Sequence, residues 1–255
     1  AFFAESVEAL PLAQLVHVPF SGWSTVIPLN GPPAPKSPSL AGVPPPQAAP
    51  PFAVPSDIPP FLEWAYASRP SQAGALVAAV RAVAGSEGMG GALVTILNGD
   101  ADLGRNLVEI SILGQMKTQA GLQYFTSLLS TPLPTTGTFT GDILAGAPLE
   151  QVNLVKRQAR ALDGLALMLT PQADTVILNA IATSASTMVV ARAVHDFLFV
   201  HGPAGRATVS AMLPADEQIL LDAIDVQAPA GSSYDVRLAA FLAKHPEVVP
   251  PPVTP

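Results

Sequence analysis

Four side chains near the middle of the chain carry the spacing of a calcium-binding loop. Asn98, Asp100, Asp102 and Glu109 stand at positions 1, 3, 5 and 12 of an EF-hand-like pattern, where oxygens converge on a hard cation. Two departures count against that use. The first position is Asn rather than Asp, and the glycine is Gly104, one place late, so Leu103 stands where a sharp turn is needed. The favoured reading is a turn between helices in which Asp100 or Asp102 caps the second. His195, Asp196 and His201 have the types for metal or acid–base work. On one helix, however, His195 and His201 point about 240° apart and share no ligand face, so His195 reads as a core or partner-facing residue. The run Gly85-Ser86-Glu87-Gly88-Met89-Gly90-Gly91 follows a helical pattern and lacks the lysine of a phosphate loop, which makes it a helix connection. Ser86 and Ser111 lack the strand–turn–helix setting of a nucleophile elbow. Lys156, Arg157 and Arg160 cluster at the start of a helix, either as a solvated face or as a docking point for an acidic partner segment. No catalytic, cofactor-binding or metal residue is assigned, no cofactor is expected, and the chain reads as a non-enzyme.

Composition narrows the classes further. Charged residues are 12% of the 255, against about 25% in ordinary domains, and mean hydropathy is +0.40. So little charge implies that other protein covers part of the surface. The net charge of -7 argues against nucleic acid, whose binders rely on Lys and Arg. Lysine is confined to Lys36, Lys117, Lys156 and Lys244, and cysteine is absent, which removes disulfides, thiolate metal sites and thiol nucleophiles. The longest uncharged apolar run in a helical region, Thr175 to Ala191, is broken by Asn179 and Thr183-Ser184, so no membrane span is expected. Absence of cysteine leans weakly toward export to the cell envelope, with a cytoplasmic or organellar protein left open, and the initial alanine fits either a removed targeting peptide or a trimmed initiator Met.

These residues must be positioned by two kinds of chain. Residues 1–59 hold half of the 28 prolines and read as an extended arm. Phe2 to Leu15 suits a short helix interrupted at Pro11. Val16 to Leu29 suits one extended strand with Phe20 and Trp23 as anchors. From Pro32 to Pro60 the prolines favour polyproline II. Composition alone would also allow an unstructured linker. The apolar punctuation of Leu40, Val43, Phe52, Val54 and Ile58 instead suggests a strap lying along the helical body or a neighbouring chain. Phe20, Trp23, Phe52 and Ile58 are its expected partner-binding anchors, with Lys156, Arg157 and Arg160 on the body.

From residue 60 to 245 the pattern is helical. Phe61, Leu62, Trp64 and Tyr66 form an aromatic capping helix. Pairs are expected at Ser71 to Ala84 with Gly91 to Asn98, then Leu103 to Met116 with Gln119 to Ser130. After an insertion loop at 131–148 come Leu149 to Met168 with Pro171 to Thr183, and Ser186 to His201 with Ala204 to Leu213. Helices at Ala215 to Val226 and Ser233 to Lys244 precede a proline-rich tail, 246–255. Ala159-Arg160-Ala161-Leu162 returns as Ala191-Arg192-Ala193-Val194, 32 positions on. At that offset Leu165, Leu169, Val176 and Ile177 fall on Phe197, His201, Thr208 and Val209. A fixed period of this size marks stacked helical repeats.

Leu107 to Leu129, Ala159 to Ile181 and Ala191 to Met212 resemble the HEAT-like repeat family, in the short form known from bilin lyases. Leu113-Gly114 matches its helix-ending pair, Leu165-Ala166 and Phe197-Leu198 match more loosely, and Thr170-Pro171 and Gly202-Pro203 replace the usual Asp of the turn. The resemblance spans about residues 70–213. It implies an all-α, right-handed α-solenoid that binds other proteins along a concave face. The expected function is a non-enzymatic structural or interaction subunit of a larger homo- or hetero-assembly. A bilin-lyase-like or other small-ligand enzyme and a calcium-dependent binding module are the alternatives.

Overall fold

The computed structural model describes residues 15–20, 23–28, 48–68, 72–134, 149–227 and 233–246, the first two as backbone. The prolines from 32 to 46, Leu40, Val43, residues 135–148 of the insertion and the tail from 247 lie outside them, as do the side chains of Phe20 and Trp23. The segment expected to be one strand contains two, β1 (Leu15–Phe20) and β2 (Trp23–Pro28). They pair antiparallel with Phe20 opposite Trp23. Only Ser21 and Gly22 separate them, the shortest common hairpin link. A two-stranded ribbon has two edges, which is where Pro19 and Pro28 are tolerated.

Beyond this hairpin the described elements are helical, and the body is all-α. Its helices are α1 (Ile58–Ala67), α2 (Ala73–Ala82), α3 (Glu87–Gly99), α4 (Leu103–Met116), α5 (Gln119–Ser130), α6 (Leu149–Met168), α7 (Pro171–Thr183), α8 (Thr187–His201), α9 (Arg206–Met212), α10 (Ile219–Gln227) and α11 (Tyr234–Lys244). Their starts follow from local chemistry. Asp102, Thr118, Thr170, Ser186 and Ser233 each accept a bond from the backbone N–H three residues on, which satisfies a donor the helix itself leaves open. Pro171 adds a preset φ to the first turn of α7. Lys117 and Leu169 take positive φ, 54° and 56°, and reverse the chain after α4 and α6.

Three boundaries correct the sequence reading, one being α10, which starts at Ile219 rather than Ala215 because Ala215–Glu217 form a separate 3-10 turn. Helix α1 starts at Ile58, earlier than residue 60, because Pro59 and Pro60 fall in a first turn that needs no N–H donors. Helix α3 starts at Glu87, not residue 91, so most of the glycine run is helical. Gly90 explains why: a Cβ there would collide with the Thr118 side chain at the start of α5. The Glu87 carboxylate accepts from Gln119 N at 2.7 Å and Ala120 N at 3.2 Å. One helix thus caps its neighbour's N-terminus, where the helix dipole favours negative charge.

Alternate helices are neighbours. Helix α4 packs on α2 and α6, α6 on α8, and α8 on α10; in a second layer α3 packs on α5, α5 on α7, and α7 on α9. Between the layers runs one apolar cluster from Phe52 to Leu221. The repeat positions Leu162 and Val194 are fully buried in it, as are Leu165 and Phe197, and Ile177 and Val209. Leu169 does not join them. It is 63% exposed because it is the positive-φ residue of the α6–α7 turn. Leu162→Ala should therefore cost about 2–4 kcal/mol, and Val194→Ala somewhat less, since each removes methyl groups from a site that cannot fully collapse. Thermal unfolding measures both, and shifts under about a degree would contradict the alignment of the two repeats.

Candidate functional site

The acidic loop between α3 and α4 is occupied by its own chain. Asp102 caps α4 through Arg105 N at 2.8 Å, as the helix-turn reading requires. Asp100 accepts from Asp102 N and from Arg105 Nε, at 2.9 and 2.8 Å. The backbone bond and then the arginine hold its carboxyl below the usual range, against the effect of burial. Arg105 extends to Glu63 at 3.0 Å and lies over the Tyr66 ring, 4.4 Å from its centroid. Glu109 is fully buried beside Asp100 and accepts the Tyr66 hydroxyl at 2.5 Å. Burial pushes the Glu109 carboxyl up, and burial with the Glu109 contact pushes the Tyr66 phenol up. Asn98 lines a cleft together with Asp100. Among the described residues no group of three or more His, Cys, Asp or Glu side chains could hold a metal ion.

The basic cluster also divides. Arg160 is 1% exposed, so it is no docking point; its guanidinium lies 3.3 Å from Asp163. The repeat explains the arrangement. Arg160 and Arg192 occupy equivalent positions on α6 and α8, and Arg192 pairs with Asp163 and, at 3.3 Å, with Asp196. Two arginines and two aspartates are thereby enclosed between neighbouring helices. Burial pushes the Asp163 carboxyl up to about 7. Burial lowers Arg160 to about 10. It opposes Arg192 as well, but Asp196 and Asp163 together hold that guanidinium above its usual value. His195 binds Asp196 through Nδ1 at 2.9 Å, and His201 binds Asp174 through Nε2 at 3.0 Å. As their spacing requires, the two histidines serve separate partners.

Phe52 and Ile58 are turned inward as well. Phe52 stacks on Phe61 with ring centroids 4.0 Å apart, and Ile58 is fully buried. Asp57 makes this possible by accepting from Ala53 N and Val54 N, which folds the chain back onto α1. These two anchors belong to the intrachain core and are not available to a partner. An aromatic at each end of a turn was the visible signal; the turn itself depends on Asp57.

Lys156 and Arg157 are both half-buried, and Arg157 meets open space. It lines a cleft of about 460 Å³ between α3, α5 and α6, walled by Val94 and Leu97, by Leu128, and by Gln123, Tyr124 and Ser127. Its Nε is buried with no hydrogen-bond partner among the described residues. Its neighbour Gln158 takes the acceptors at hand: Nε2 donates to Leu128 O and Thr131 O, both at 3.0 Å. Burial pushes the Tyr124 phenol up while the Arg157 charge pulls it down. Gln123 and Tyr124 have no motif around them and were not singled out by sequence. The chain matches none of the family models, curated proteins or solved structures with which it was compared. No helix of the described residues is long and apolar enough to cross a membrane.

Proposed function

We propose that this chain is a HEAT-like α-solenoid that acts as a non-enzymatic interaction subunit, with other protein subunits docking on its helix face and along its N-terminal arm. The observation that carries the reading is an apolar register left uncovered on successive helices. Leu167 on α6 and Phe199 on α8 are 32 positions apart, the repeat period, and are 37% and 78% exposed. Phe199 is backed by the His195 ring, stacked at 6.5 Å. A stack of equivalent helices sets such positions side by side, which is how repeat proteins build extended binding faces. Large exposed apolar side chains in register mark an interaction surface more than a solvated one. The scarcity of charge fits the same use, and the net charge of -7 speaks against a nucleic-acid partner.

Because Phe52 and Ile58 serve the core, the arm is best tested by removing residues 1–47 alone. The truncated chain should keep its helical circular dichroism and lose assembly in size-exclusion chromatography with light scattering. Loss of the helical signal would show that the removed segment belongs to the fold, and a full-length chain that stays monomeric at high concentration, with no partner recovered from its native source, would refute the assembly role.

A further inference from the structure

We propose that the cleft between α3, α5 and α6 binds a monoanionic carboxylate carried on an apolar body, with Arg157 as the group that takes it. This goes beyond the scaffold reading and does not rest on it. A guanidinium N–H enclosed among protein atoms without an acceptor is costly, because it has left water without gaining a partner. Arg157 is half-buried, and its Nε has no acceptor among the described residues. Several acceptors around the cleft are committed. Gln158 takes Leu128 O and Thr131 O, and Asp100 on the cleft wall takes Arg105 and Asp102 N. A carboxylate seated in the cleft would supply the missing acceptor.

The chemistry of the walls selects the anion. A guanidinium fork matches the two oxygens of a carboxylate or a phosphate. Leu97, Asn98, Ser127 and Leu128 belong to the last turns of α3 and α5, so the cleft faces the negative ends of two helices. Asp100 adds a full charge of the same sign. One arginine against that background suits a single negative charge better than a phosphate dianion. Val94, Leu97 and Leu128 then offer apolar surface for a hydrocarbon or aromatic stem, while the Tyr124 hydroxyl and Gln123 amide provide donors beside the charge. The volume of about 460 Å³ falls in the range of small-ligand clefts, about 300–1,000 Å³.

The test uses the full chain and follows the Arg157 Nε–Hε resonance by NMR. Added 3-phenylpropionate should shift it saturably, whereas 3-phenylpropanamide and phenyl phosphate should shift it much less. A short apolar peptide with a free C-terminus, set against its amidated form, tells whether the carboxylate comes from a small acid or from a chain end. By calorimetry, Arg157→Gln should weaken the preferred acid by about tenfold or more, and Arg157→Lys, which keeps charge but loses the fork, should weaken it less. Circular dichroism checks that both variants are folded; if the glutamine variant is not, the lysine variant decides. Equal shifts by acid and amide, tighter binding of the phosphate, or unchanged affinity in the folded variant would overturn the proposal.

Discussion

Gly114→Ala should destabilise the body by about 3 kcal/mol, lowering its unfolding midpoint by about 6–12 °C. The reason is where α4 crosses α6. A Cβ on Gly114 would fall inside the contact shell of Gly164 Cα, with Gly164 O and C at 3.1 and 3.2 Å. Those atoms are backbone, so no rotamer change relieves the overlap and the helices must part. Parting them loosens Ile110, Leu113, Leu162 and Leu165, all fully buried on the same two helices. Gly164→Ala meets the buried Phe125 ring at 2.8 Å, a milder overlap and with a side chain rather than backbone, and should cost less. Gly74→Ala is the control of opposite sign. Nothing lies within 4 Å of its Cβ, and it sits inside α2, so the change should stabilise by about 0.5–1 kcal/mol. A Gly114→Ala midpoint within a degree of the parent would refute the close crossing.

Helices α5, α6 and α7 were readable to the residue because each boundary is a local event. Thr118, Thr170 and Pro171 announce starts by their own bonding, and the threonine-, glycine- and proline-rich stretch after Ser130 announces a break. The burial of Leu162 and Val194 was readable because the period repeats it. What failed depended on other parts of the chain. Leu169 looked like a fifth core anchor, yet Met116-Lys117-Thr118 and Met168-Leu169-Thr170 share a turn whose middle residue has positive φ and faces outward. That match was present in the sequence at an offset of 52 and is visible once the turn is known. Gly90 was read as part of a helix connection and Gly164 gave no signal, because the close neighbours that require them are 28 and 39 residues away, Thr118 and Phe125. Arg160 was placed with Lys156 and Arg157 because charge is ordinarily solvated. Its repeat partner Arg192 was the available warning: an arginine at one position of both repeats, in a chain so poor in charge, marks a constrained interior site.

That interior site gives the other large effect. Arg192→Met should cost about 3–5 kcal/mol at pH 8, because it leaves Asp163 and Asp196 enclosed without their shared cation. The cost should shrink toward pH 5, and the sign follows from Asp163. Burial raises its folded pKa to about 7, above the 3.8 of an ordinary aspartate. Its contribution to stability is therefore fully present below the unfolded value and lost as pH rises through about 7. In acid both proteins carry the proton on Asp163 and lose little by lacking the charge of Arg192 there. In base the parent must hold an ionised Asp163 that Arg192 and Arg160 stabilise together, and the variant holds it with Arg160 alone. Adding Asp163→Asn to the Arg192→Met chain removes that ion and should recover part of the loss at pH 8 but little at pH 5. Urea unfolding of the four proteins of this cycle at the two pH values measures the coupling directly. A loss that is the same at both pH values, with no recovery from Asp163→Asn, would mean that Arg192 acts only by filling space between α6 and α8 and that the buried charges are independent of one another.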